Sequence, residues 1–307
     1  MTPQLTVVIV NYNVKDLIQN CLSSIYKYCG NIALELIVID NASTDGSVVM
    51  IQNKFPACIL ISNKTNAGFS EANNQGIRIA KGDFILLLNP DTELRNDSIS
   101  GMMTYLNKHP SIAMLAPKLL NTDGSLQISC CKFPSVLNII VEALYLHILF
   151  KLRQYPLSNF DTIFDVDYAA GACLLFHKDL INKIGYLDTN LFWMDDVDYC
   201  YRAKTVGSVV YFPQSKIIHH SGKSLRQNYN ISISNQIISK LKYLRKHFSF
   251  ITFLVGIIFS LIHVFTRIMI FTVLSPFKKV YFSKSKAYIY TLSKMVSYLT
   301  FNNQSVN

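Results

Sequence analysis

The stretch Gly82-Asp83-Phe84-Ile85-Leu86-Leu87-Leu88-Asn89-Pro90-Asp91 contains five consecutive apolar residues followed by a polar tip. An apolar run of this length between turn residues predicts a strand that is buried on both faces, as in the middle of a parallel sheet. Pro90 cannot donate a ladder hydrogen bond, so the strand ends before it. Asn89 and Asp91 then lie at the carboxyl end of a central strand, where open α/β sheets bind ligands. An acid at this place suits a divalent cation and a phosphate, although the same tip also fits a simple turn.

Three earlier apolar runs alternate with helical patterns in the same half of the chain. The runs are Leu5–Val10, Leu34–Ile39 and Cys58–Ile61, and helices are predicted at about 15–28 and 69–80. Strands that alternate with helices predict βαβ units and a parallel sheet. Right-handed crossovers bring the polar strand ends to one rim, and these ends are Asn11, Asp40, Asn63 and Asp91. This convergence favours a ligand site more strongly than any single turn does.

The segment after Asp91 is less regular. It contains a helical pattern at 97–108, an apolar strand at 112–116 and a hairpin-type turn at 121–124. An apolar, helix-like insertion is predicted at 135–152, and two short strands are predicted at 209–212 and 216–218.

Charge divides the chain at Asp198, which is the last acidic residue. Up to Asp198 there are 14 Lys and Arg and 19 Asp and Glu, a net charge of −5. After it there are 15 Lys and Arg and no acid, a net charge of +15. Such asymmetry predicts a negatively charged partner for the C-terminal third, either nucleic acid or anionic lipid. The seven cysteines include no Cys-x-x-Cys pair, which argues against a zinc ribbon or a disulfide framework.

The C-terminal segment combines basic and apolar character. Residues 231–247 predict a basic helix, and Phe248–Phe277 is mostly apolar, interrupted by His263 and Arg267. The part before His263 is shorter than the roughly 18–20 residues of a spanning helix. Lysines flank the apolar segment, so a re-entrant or interfacial helix held by lipid headgroups fits better than a span. The alternative is a buried core helix.

Three carboxylates, Asp195, Asp196 and Asp198, follow the run Phe192-Trp193-Met194 at a predicted helix start. Helix capping explains one acid at such a position. A carboxylate beside apolar surface has a raised pKa and is a better general base. Three acids after an aromatic run therefore favour a functional role over capping alone.

Other polar residues offer weaker signals. His219 closes an apolar strand, and a histidine there can bind a metal, although a lone histidine is more often a packed or surface residue. Asp40 follows a strand and fits contact with a ribose or base. Four asparagines provide amides that can read a base or a sugar, but asparagine also favours turns. They are Asn63, Asn66, Asn73 and Asn74.

The ordered set of motifs resembles a known family. The set is Val7-Val8-Ile9-Val10-Asn11-Tyr12-Asn13, Asp40-Asn41-Ala42-Ser43-Thr44-Asp45-Gly46, Asn63 through Asn66-Ala67-Gly68-Phe69, Leu88-Asn89-Pro90-Asp91, Gly171-Ala172, Asp195-Asp196-Val197-Asp198, and His219 with Gly222 and Ser224. It is similar to glycosyltransferase family 2 with the GT-A fold, and within it to the rhamnosyltransferase-like branch that builds bacterial surface polysaccharides. The similarity covers residues 5 to about 225.

The resemblance implies an α/β fold of the GT-A type, with a Rossmann-like, mostly parallel sheet flanked by helices. The glycosyltransferase domain would span 1–228, with a nucleotide-sugar-binding half at 1–95 and an acceptor and catalytic half at 96–228. Residues 229–307 would form a basic and apolar helical tail that associates with an anionic membrane surface.

The resemblance also implies roles for individual residues. Asp40 would contact the nucleotide base, and Asp91 and His219 would bind Mg²⁺ or Mn²⁺ on the donor diphosphate. Asp196 would be the general base, with Asp195 orienting the acceptor. The other donor-binding positions would be Asn11, Asn13, Asn66, Gly68, Asn73 and Asn89. Asn89 stands where the generic Asp-x-Asp motif has its first acid, so this metal site has one fewer charge.

The function implied is an inverting, metal-dependent glycosyltransferase. It would move a sugar from a nucleotide donor, such as dTDP-rhamnose or a UDP-sugar, to a lipid-linked or polysaccharide acceptor. It would work at the cytoplasmic face of the cell membrane as a peripheral or monotopic protein.

Two other functions are compatible with parts of the sequence. A nucleotidyltransferase would need a glycine-rich, basic loop after the first strand to bind phosphate. The segment Asn11-Tyr12-Asn13-Val14 has no glycine, which argues against this function. A non-catalytic protein that binds a membrane surface or nucleic acid would explain the +15 segment but not the acids on the rim. Because acids repel nucleic acid, none is expected as a partner.

Overall fold

The computed structural model describes residues 3–96, 98–148, 152–220 and 229–301. The chain forms two compact units. The first comprises Met1–Phe133, Gln154–Thr189 and Asp195–Ser224, and the second comprises Pro134–Arg153, Asn190–Met194 and Leu225–Asn307. The predicted domains at 1–228 and 229–307 remain a prediction, and the contacts group two earlier segments with the C-terminal one.

The described strands all belong to the first unit. In chain order they are β1 (Leu5–Asn11), β2 (Leu34–Asp40), β3 (Ile59–Ser62), β4 (Phe84–Leu88), β5 (Thr92–Leu94), β6 (Ile112–Leu120), β7 (Cys130–Cys131), β8 (Phe164–Asp165), β9 (Tyr168–Ala169), β10 (Cys173–His177) and β11 (Ser208–His219).

The described α-helices belong to both units. In chain order they are α1 (Lys15–Tyr28), α2 (Ser47–Lys54), α3 (Phe69–Ile79), α4 (Ser98–Lys108), α5 (Val136–Ala143), α6 (Asp179–Ile184), α7 (Asp195–Ala203), α8 (Tyr229–His247), α9 (Phe250–Leu274) and α10 (Lys279–Phe301). Short 3-10 helices lie at Leu146–Ile148 and Leu157–Asp161.

The main sheet has the strand order β3-β2-β1-β4-β10-β6-β11-β5, with β8 also paired to β11. The strands β3, β2, β1 and β4 are mutually parallel. All five residues of β4 are buried as predicted, but β4 is parallel to β1 on one side and antiparallel to β10 on the other. Because β10 is antiparallel to both β4 and β6, strands β6 and β11 run in the same direction as β4. The carboxyl ends of β1, β2, β4 and β11 therefore share one rim.

The apolar residues of β1 explain why helices cover both faces of the sheet. Successive side chains of a strand point to opposite faces. Val7 and Ile9 join one core cluster, which includes α1 and α4 residues, and Val8 and Val10 join the other, which includes α3 and α7 residues. The polar strand ends lie at the rim of the sheet, beyond these two apolar clusters.

The three-residue strand β5 decides which residues meet at this rim. After Asp91 the chain pairs with β11 in antiparallel register, so that Thr92 lies opposite His219. The structure shows β11 as one strand with an irregularity between Phe212 and Lys216, where two short strands were predicted. Pro213 lies inside this irregularity, which is where proline is tolerated in a sheet.

The second unit is built from helices. Contacts join α9 to α5, α8 and α10. Within the helical insertion predicted at 135–152, α5 ends at Ala143 and a 3-10 helix follows at Leu146–Ile148, while residues 149–151 lie outside the described part of the chain.

The two polar residues that interrupt the apolar segment, His263 and Arg267, do not interrupt the helix, because α9 runs for 25 residues through both. α9 is long and apolar enough to cross a membrane. The buried core helix of a soluble protein can meet the same two criteria. Arg267 is buried, and its guanidinium donates to the carbonyl oxygen of Glu142 at 2.7 Å. Arg267 also lies 4.0 Å from the centre of the Tyr145 ring. A cation thus caps the C-terminal end of α5.

We expect Gly82→Ala to destabilise the first unit. A Cβ at Gly82 would lie 2.5 Å from the backbone nitrogen of Thr6 and 2.8 Å from the carbonyl carbon of Leu5, so β1 and β4 would have to separate. The expected loss in the free energy of unfolding, measured with urea, is about 1–3 kcal/mol. The matched control is Gly101→Ala on α4, where a Cβ meets nothing within 4 Å and a gain of about 0.5–1 kcal/mol is expected. Equal stability of Gly82→Ala and the wild type would contradict this packing.

Candidate active site

The ends of β1 and β2 are joined by side chains of the rim. Asn11 and Asp40 are partners in the parallel register, and Asn11 Nδ2 donates to Asp40 Oδ1 at 2.7 Å. Asn11 Nδ2 also donates to Ser43 Oγ at 3.1 Å, and the backbone N–H of Ser43 donates to Asp40 Oδ2 at 2.9 Å. Asp40 is only 1% exposed, so in this structure it holds the loop in place. Its contact with a nucleotide base stays a prediction.

The loop after β2 has an unusual backbone conformation. Ala42 has a φ of 66°, a region that non-glycine residues seldom occupy. Asn13 also has a positive φ, and its Oδ1 accepts a hydrogen bond from the backbone N–H of Thr44 at 2.8 Å. Hydrogen bonds from both strand ends therefore hold a conformation that the chain would otherwise disfavour.

A second group of amides shapes the start of α3. Asn63 Nδ2 donates to Asn41 Oδ1 at 2.8 Å, and Asn41 Nδ2 donates to the carbonyl oxygen of Gly68 at 3.2 Å. Asn66 Oδ1 accepts from the backbone N–H of Gly68 at 2.9 Å. Gly68 has a φ of +85°, which explains why a glycine begins this helix.

The amide side chains on α3 itself form hydrogen bonds with backbone groups of the protein. Asn73 Nδ2 donates to the carbonyl oxygen of Phe69 at 3.0 Å, and Asn73 is buried. Asn74 donates to the carbonyl oxygen of Leu187 at 2.9 Å and accepts from its N–H at 3.0 Å. Asn74 therefore fastens α3 to the Leu187 segment, and its role in reading a base or a sugar stays a prediction.

The β5–β11 pairing brings together Asp91 and His219, the two residues that sequence reasoning assigned to a metal. His219 Nε2 lies 3.3 Å from Asp91 Oδ1, and both side chains are mostly buried. The backbone N–H of His220 donates to the carbonyl oxygen of Asp91 at 2.8 Å, which fixes the loop against β11. The motif positions Gly222 and Ser224 lie outside the described residues.

Sequence reasoning missed Gln127, which contacts His219 directly. His219 Nδ1 lies 2.6 Å from Gln127 Oε1, and Gln127 Nε2 donates to the carbonyl oxygen of His219 at 3.3 Å and to Asn121 Oδ1 at 3.0 Å. The only local signal was the hairpin-type turn that begins at Asn121. That signal predicts a turn but not the partner of a side chain beyond it.

The residues present fit a divalent cation. A carboxylate oxygen of Asp91 and an imidazole nitrogen of His219 converge, and their 3.3 Å separation is close to the roughly 3.0 Å between neighbouring ligands on an octahedral ion with bonds of about 2.1 Å. The structure also leaves Asn89 Oδ1 buried without a hydrogen-bond partner among the described atoms of this loop. Among the residues described, no cluster of three His, Cys, Asp or Glu side chains exists, so substrate oxygens or water would complete the coordination. Mg²⁺ is commonly held in this way beside phosphates.

The three acids of α7 have different surroundings. Asp198 is fully buried and pairs with Arg202 at 2.9 Å, which is a structural role. Asp195 is buried and accepts a hydrogen bond from Ser70 Oγ at 3.0 Å. Burial, and then the neighbouring charge of Asp196, raise the pKa of Asp195 to about 7.

Asp196 is the more accessible member of this pair. It is partly exposed, and its Oδ2 accepts from the backbone N–H of Gly171 at 3.1 Å. The neighbouring Ala172 accepts from the backbone N–H of Asn89 at 2.9 Å. Asp196 is therefore linked by two backbone hydrogen bonds to the loop that carries Asp91. A Cβ on Gly171 would lie 3.3 Å from the Cβ of Asp196, which explains the small residue there.

Comparison with known proteins identifies the family that the chain matches. The model of the family described as "Glycosyl transferase family 2" matches residues 6–185. The chain is 24% identical over 247 residues to the N-acetylglucosaminyl-diphospho-decaprenol L-rhamnosyltransferase of Mycobacterium tuberculosis (strain CDC 1551 / Oshkosh), covering 73% of this chain and 78% of that protein. The predicted family and its rhamnosyltransferase-like character are confirmed.

Solved structures share the fold. A mannosyltransferase from Pyrobaculum calidifontis in complex with GDP-Man and Mn²⁺ has a TM-score of 0.56 at 16% identity, covering 97% of this chain and 88% of that one. GalNAc-T7 with UDP, GalNAc and Mn²⁺ has a TM-score of 0.55 at 15% identity, covering 71% of this chain and 44% of that one. At this identity the likeness shows the fold alone, and it confirms the predicted fold class.

The raised pKa of Asp195 predicts a dependence of stability on pH. The folded state binds the proton more tightly than the unfolded state, so the free energy of unfolding falls as pH rises from 3.8 towards about 7. Asp195→Asn keeps an acceptor for Ser70 and removes the titration. Between about pH 5 and about pH 7, we expect its unfolding free energy to fall less steeply, by up to about 1.4 kcal/mol per pH unit.

The measurement is urea unfolding at several pH values, with the exposed Asp179→Asn as the matched control. We expect the control to keep the wild-type slope. If Asp195→Asn keeps that slope as well, burial does not shift the titration of Asp195.

Proposed function

The chain belongs to glycosyl transferase family 2, and we propose that it transfers a sugar with inversion from a nucleoside diphosphate donor to a lipid-linked or polysaccharide acceptor in bacterial surface glycan synthesis. Candidate donors are dTDP-rhamnose and UDP-sugars. One observation carries the proposal. At one rim of the sheet, backbone hydrogen bonds link the two proposed cation ligands, Asp91 and His219, to the partly exposed carboxylate of Asp196. Membership of this family favours glycosyl transfer over the two alternative functions, nucleotidyl transfer and non-catalytic binding.

The acceptor class is supported by the relative and by the chain's own composition. The Mycobacterium tuberculosis relative is named for a diphospho-decaprenol acceptor, which is a lipid. The second unit of this chain has basic and apolar helices that suit a membrane surface. A lipid-linked saccharide is therefore the acceptor that we favour.

Asp196 is the proposed general base. Attack by an acceptor hydroxyl on the anomeric carbon requires removal of the hydroxyl proton, which a positioned carboxylate can accept. Inversion proceeds without a covalent intermediate, so one carboxylate is sufficient, whereas retaining glycosidases use two facing carboxyls. Asp195, buried behind it and hydrogen-bonded to Ser70, is proposed to keep the helix start in place and to orient the acceptor.

The rim residues are proposed to hold the donor. The side chains of Asn11, Asn13 and Asp40 hold the loop in which a nucleotide would lie, and Asn66, Gly68, Asn73 and Asn89 are the further donor-binding positions. Asp91 and His219 would hold Mg²⁺ or Mn²⁺, which when bound neutralises the charge of the departing nucleoside diphosphate. With Asn89 in place of an acid, Asp91 supplies the carboxylate of this loop.

The second unit is proposed to bind the cytoplasmic face of the cell membrane, with the protein as a peripheral or monotopic one. Several large apolar side chains of α9 and the turn after it are more than half exposed: Phe250, Ile251, Met269, Val273 and Phe277. The lysines 278, 279, 284 and 286 follow directly. Exposed apolar side chains beside lysines are typical of a surface that binds anionic lipid.

The experiment that tests the catalytic proposal compares Asp196→Asn with the wild type. The substitution keeps the shape and one acceptor oxygen, which can serve either the N–H of Gly171 or that of Val197, and it removes the proton acceptor. We expect transfer to fall by about 10²- to 10⁴-fold, with donor affinity unchanged. Transfer is measured as nucleoside diphosphate release in the presence of acceptor, and donor affinity is measured by calorimetry.

The control for this experiment is Asp179→Asn, an exposed acid in the first turn of α6. We expect it to transfer at the wild-type rate. Loss of donor affinity in Asp196→Asn would assign Asp196 to binding and contradict its role as the base.

The membrane proposal predicts that Phe250→Ser with Ile251→Ser weakens binding to anionic phosphatidylglycerol vesicles by about tenfold or more, because two apolar contacts are lost. Binding is measured by co-sedimentation at increasing salt. Val49→Ser, which changes an exposed apolar residue of α2, is the control and should bind normally. Unchanged vesicle binding in the double variant, or stronger binding of the wild type to DNA, would contradict the proposal.

A further inference from the structure

We propose that Gln127 is a positioning residue for His219, which it holds in the tautomer whose Nε2 can bind a cation beside Asp91. The inference rests on the metal role proposed above for Asp91 and His219. It adds a residue from a different part of the chain, the hairpin after β6, to the site.

The contacts of Gln127 define which atom faces the imidazole. Gln127 Nε2 lies within hydrogen-bond distance of two carbonyl-type oxygens, those of the His219 backbone at 3.3 Å and of the Asn121 side chain at 3.0 Å. A nitrogen donates to both, so the oxygen of this amide is the atom 2.6 Å from His219 Nδ1. An amide oxygen can only accept a hydrogen bond. His219 Nδ1 is therefore protonated.

The tautomer determines what the opposite nitrogen can do. In a neutral imidazole one nitrogen carries the proton and the other carries a lone pair. With the proton on Nδ1, the lone pair of Nε2 points to Asp91 Oδ1 at 3.3 Å. Two electron-rich atoms at this distance need a cation between them or a proton on one of them. Gln127 thus prepares the site for a cation.

Further hydrogen bonds hold Gln127 in the hairpin. Its backbone N–H donates to the carbonyl oxygen of Leu119 at 2.9 Å, which continues the hairpin from β6. Asn121, which accepts from the Gln127 amide, also donates to Ser125 Oγ at 2.9 Å across the turn. The hydrogen bonds run from the turn to Asn121, Gln127 and His219 in sequence. Partners of this kind behind a metal ligand fix its ring orientation, and their loss typically costs about 10- to 100-fold in metal affinity.

The site composition makes this orientation more important here. Asn89 occupies the place of a second acid, so the loop offers one carboxylate, from Asp91. With less negative charge at the site, the lone pair of His219 supplies a larger share of the attraction for a cation. A misaligned imidazole would therefore be costly.

The test uses the full-length protein and Mn²⁺ alone as the probe, with affinity measured by electron paramagnetic resonance. Gln127→Leu removes the acceptor at similar size and should weaken Mn²⁺ binding by about 10- to 100-fold. Gln127→Glu keeps an acceptor for Nδ1 but loses the donor that faces the carbonyl oxygens of His219 and Asn121, so it should recover only part of the affinity. The matched control, Gln214→Leu, changes an exposed glutamine on the same strand as His219 and should bind Mn²⁺ as the wild type does. Thermal unfolding of each variant reports whether it is folded.

A second readout is independent of metal binding. Nitrogen-15 NMR of the metal-free protein, with the His219 signals assigned by their absence in His219→Ala, reports the tautomer. We expect a proton on Nδ1 in the wild type and in Gln127→Glu, and loss of that preference in Gln127→Leu. An Nε2-protonated His219 in the wild type, or an unchanged tautomer and Mn²⁺ affinity in Gln127→Leu, would overturn the role of Gln127.

The two proposals fail in different ways. Absence of Mn²⁺ binding by the wild type, or unaltered binding by Asp91→Ala, would contradict the metal role of Asp91 and His219. In either case the tautomer of metal-free His219 still tests its hydrogen bond to Gln127: a proton on Nδ1 supports the bond, and a proton on Nε2 contradicts it.

Discussion

The antiparallel pairing of β5 with β11 is the constraint on which the site depends. It sets Thr92 opposite His219 and so places the carboxylate of Asp91 beside the imidazole. Only three residues separate β4 from β5, which pairs with β11 at the end of the strand order, so Asp91 lies between the end of β4 and the end of β11. The Asp91 carboxylate is thereby presented at the edge where the other polar strand ends also lie. Because a strand of three residues has few ladder bonds, the backbone hydrogen bond from His220 to Asp91 contributes to holding it.

Residues of one type perform separate tasks around this pairing. Among the acids of α7, Asp198 neutralises Arg202, Asp195 is buried against Ser70, and Asp196 is left partly exposed beside Gly171. The amides divide in the same way, since Asn74 fastens a helix whereas Asn11 and Asn63 join strand ends. The division follows burial and partners, which depend on tertiary contacts. A motif of adjacent acids therefore indicates where a site lies in the chain, whereas the tertiary contacts of each acid determine its role.

Local patterns predicted the first half of the fold because the spacing of apolar residues in each segment there is typical of a helix or of a buried strand. The run Phe84–Leu88 is a buried strand and Lys15–Tyr28 is a helix, as their apolar spacing indicates. Long-range features were not accessible from the sequence: the register of β5 depends on a partner far along the chain, and the contact of Gln127 with His219 has no local signature. The sequence shows that His263 and Arg267 interrupt the apolar run, but it cannot show that the helix continues through them or that Arg267 caps α5.

The measurement that tests the central claim most directly is nucleoside diphosphate release from a panel of UDP-, dTDP- and GDP-sugars, with Mn²⁺ or Mg²⁺ and with a chelator. If the rim binds a nucleotide-sugar through a cation at Asp91 and His219, we expect release from one donor of the panel, and loss of that release when the cation is removed. Release that persists at full rate in the chelator would contradict the cation site. Failure of the protein to bind any donor of the panel would contradict the assignment of the rim itself.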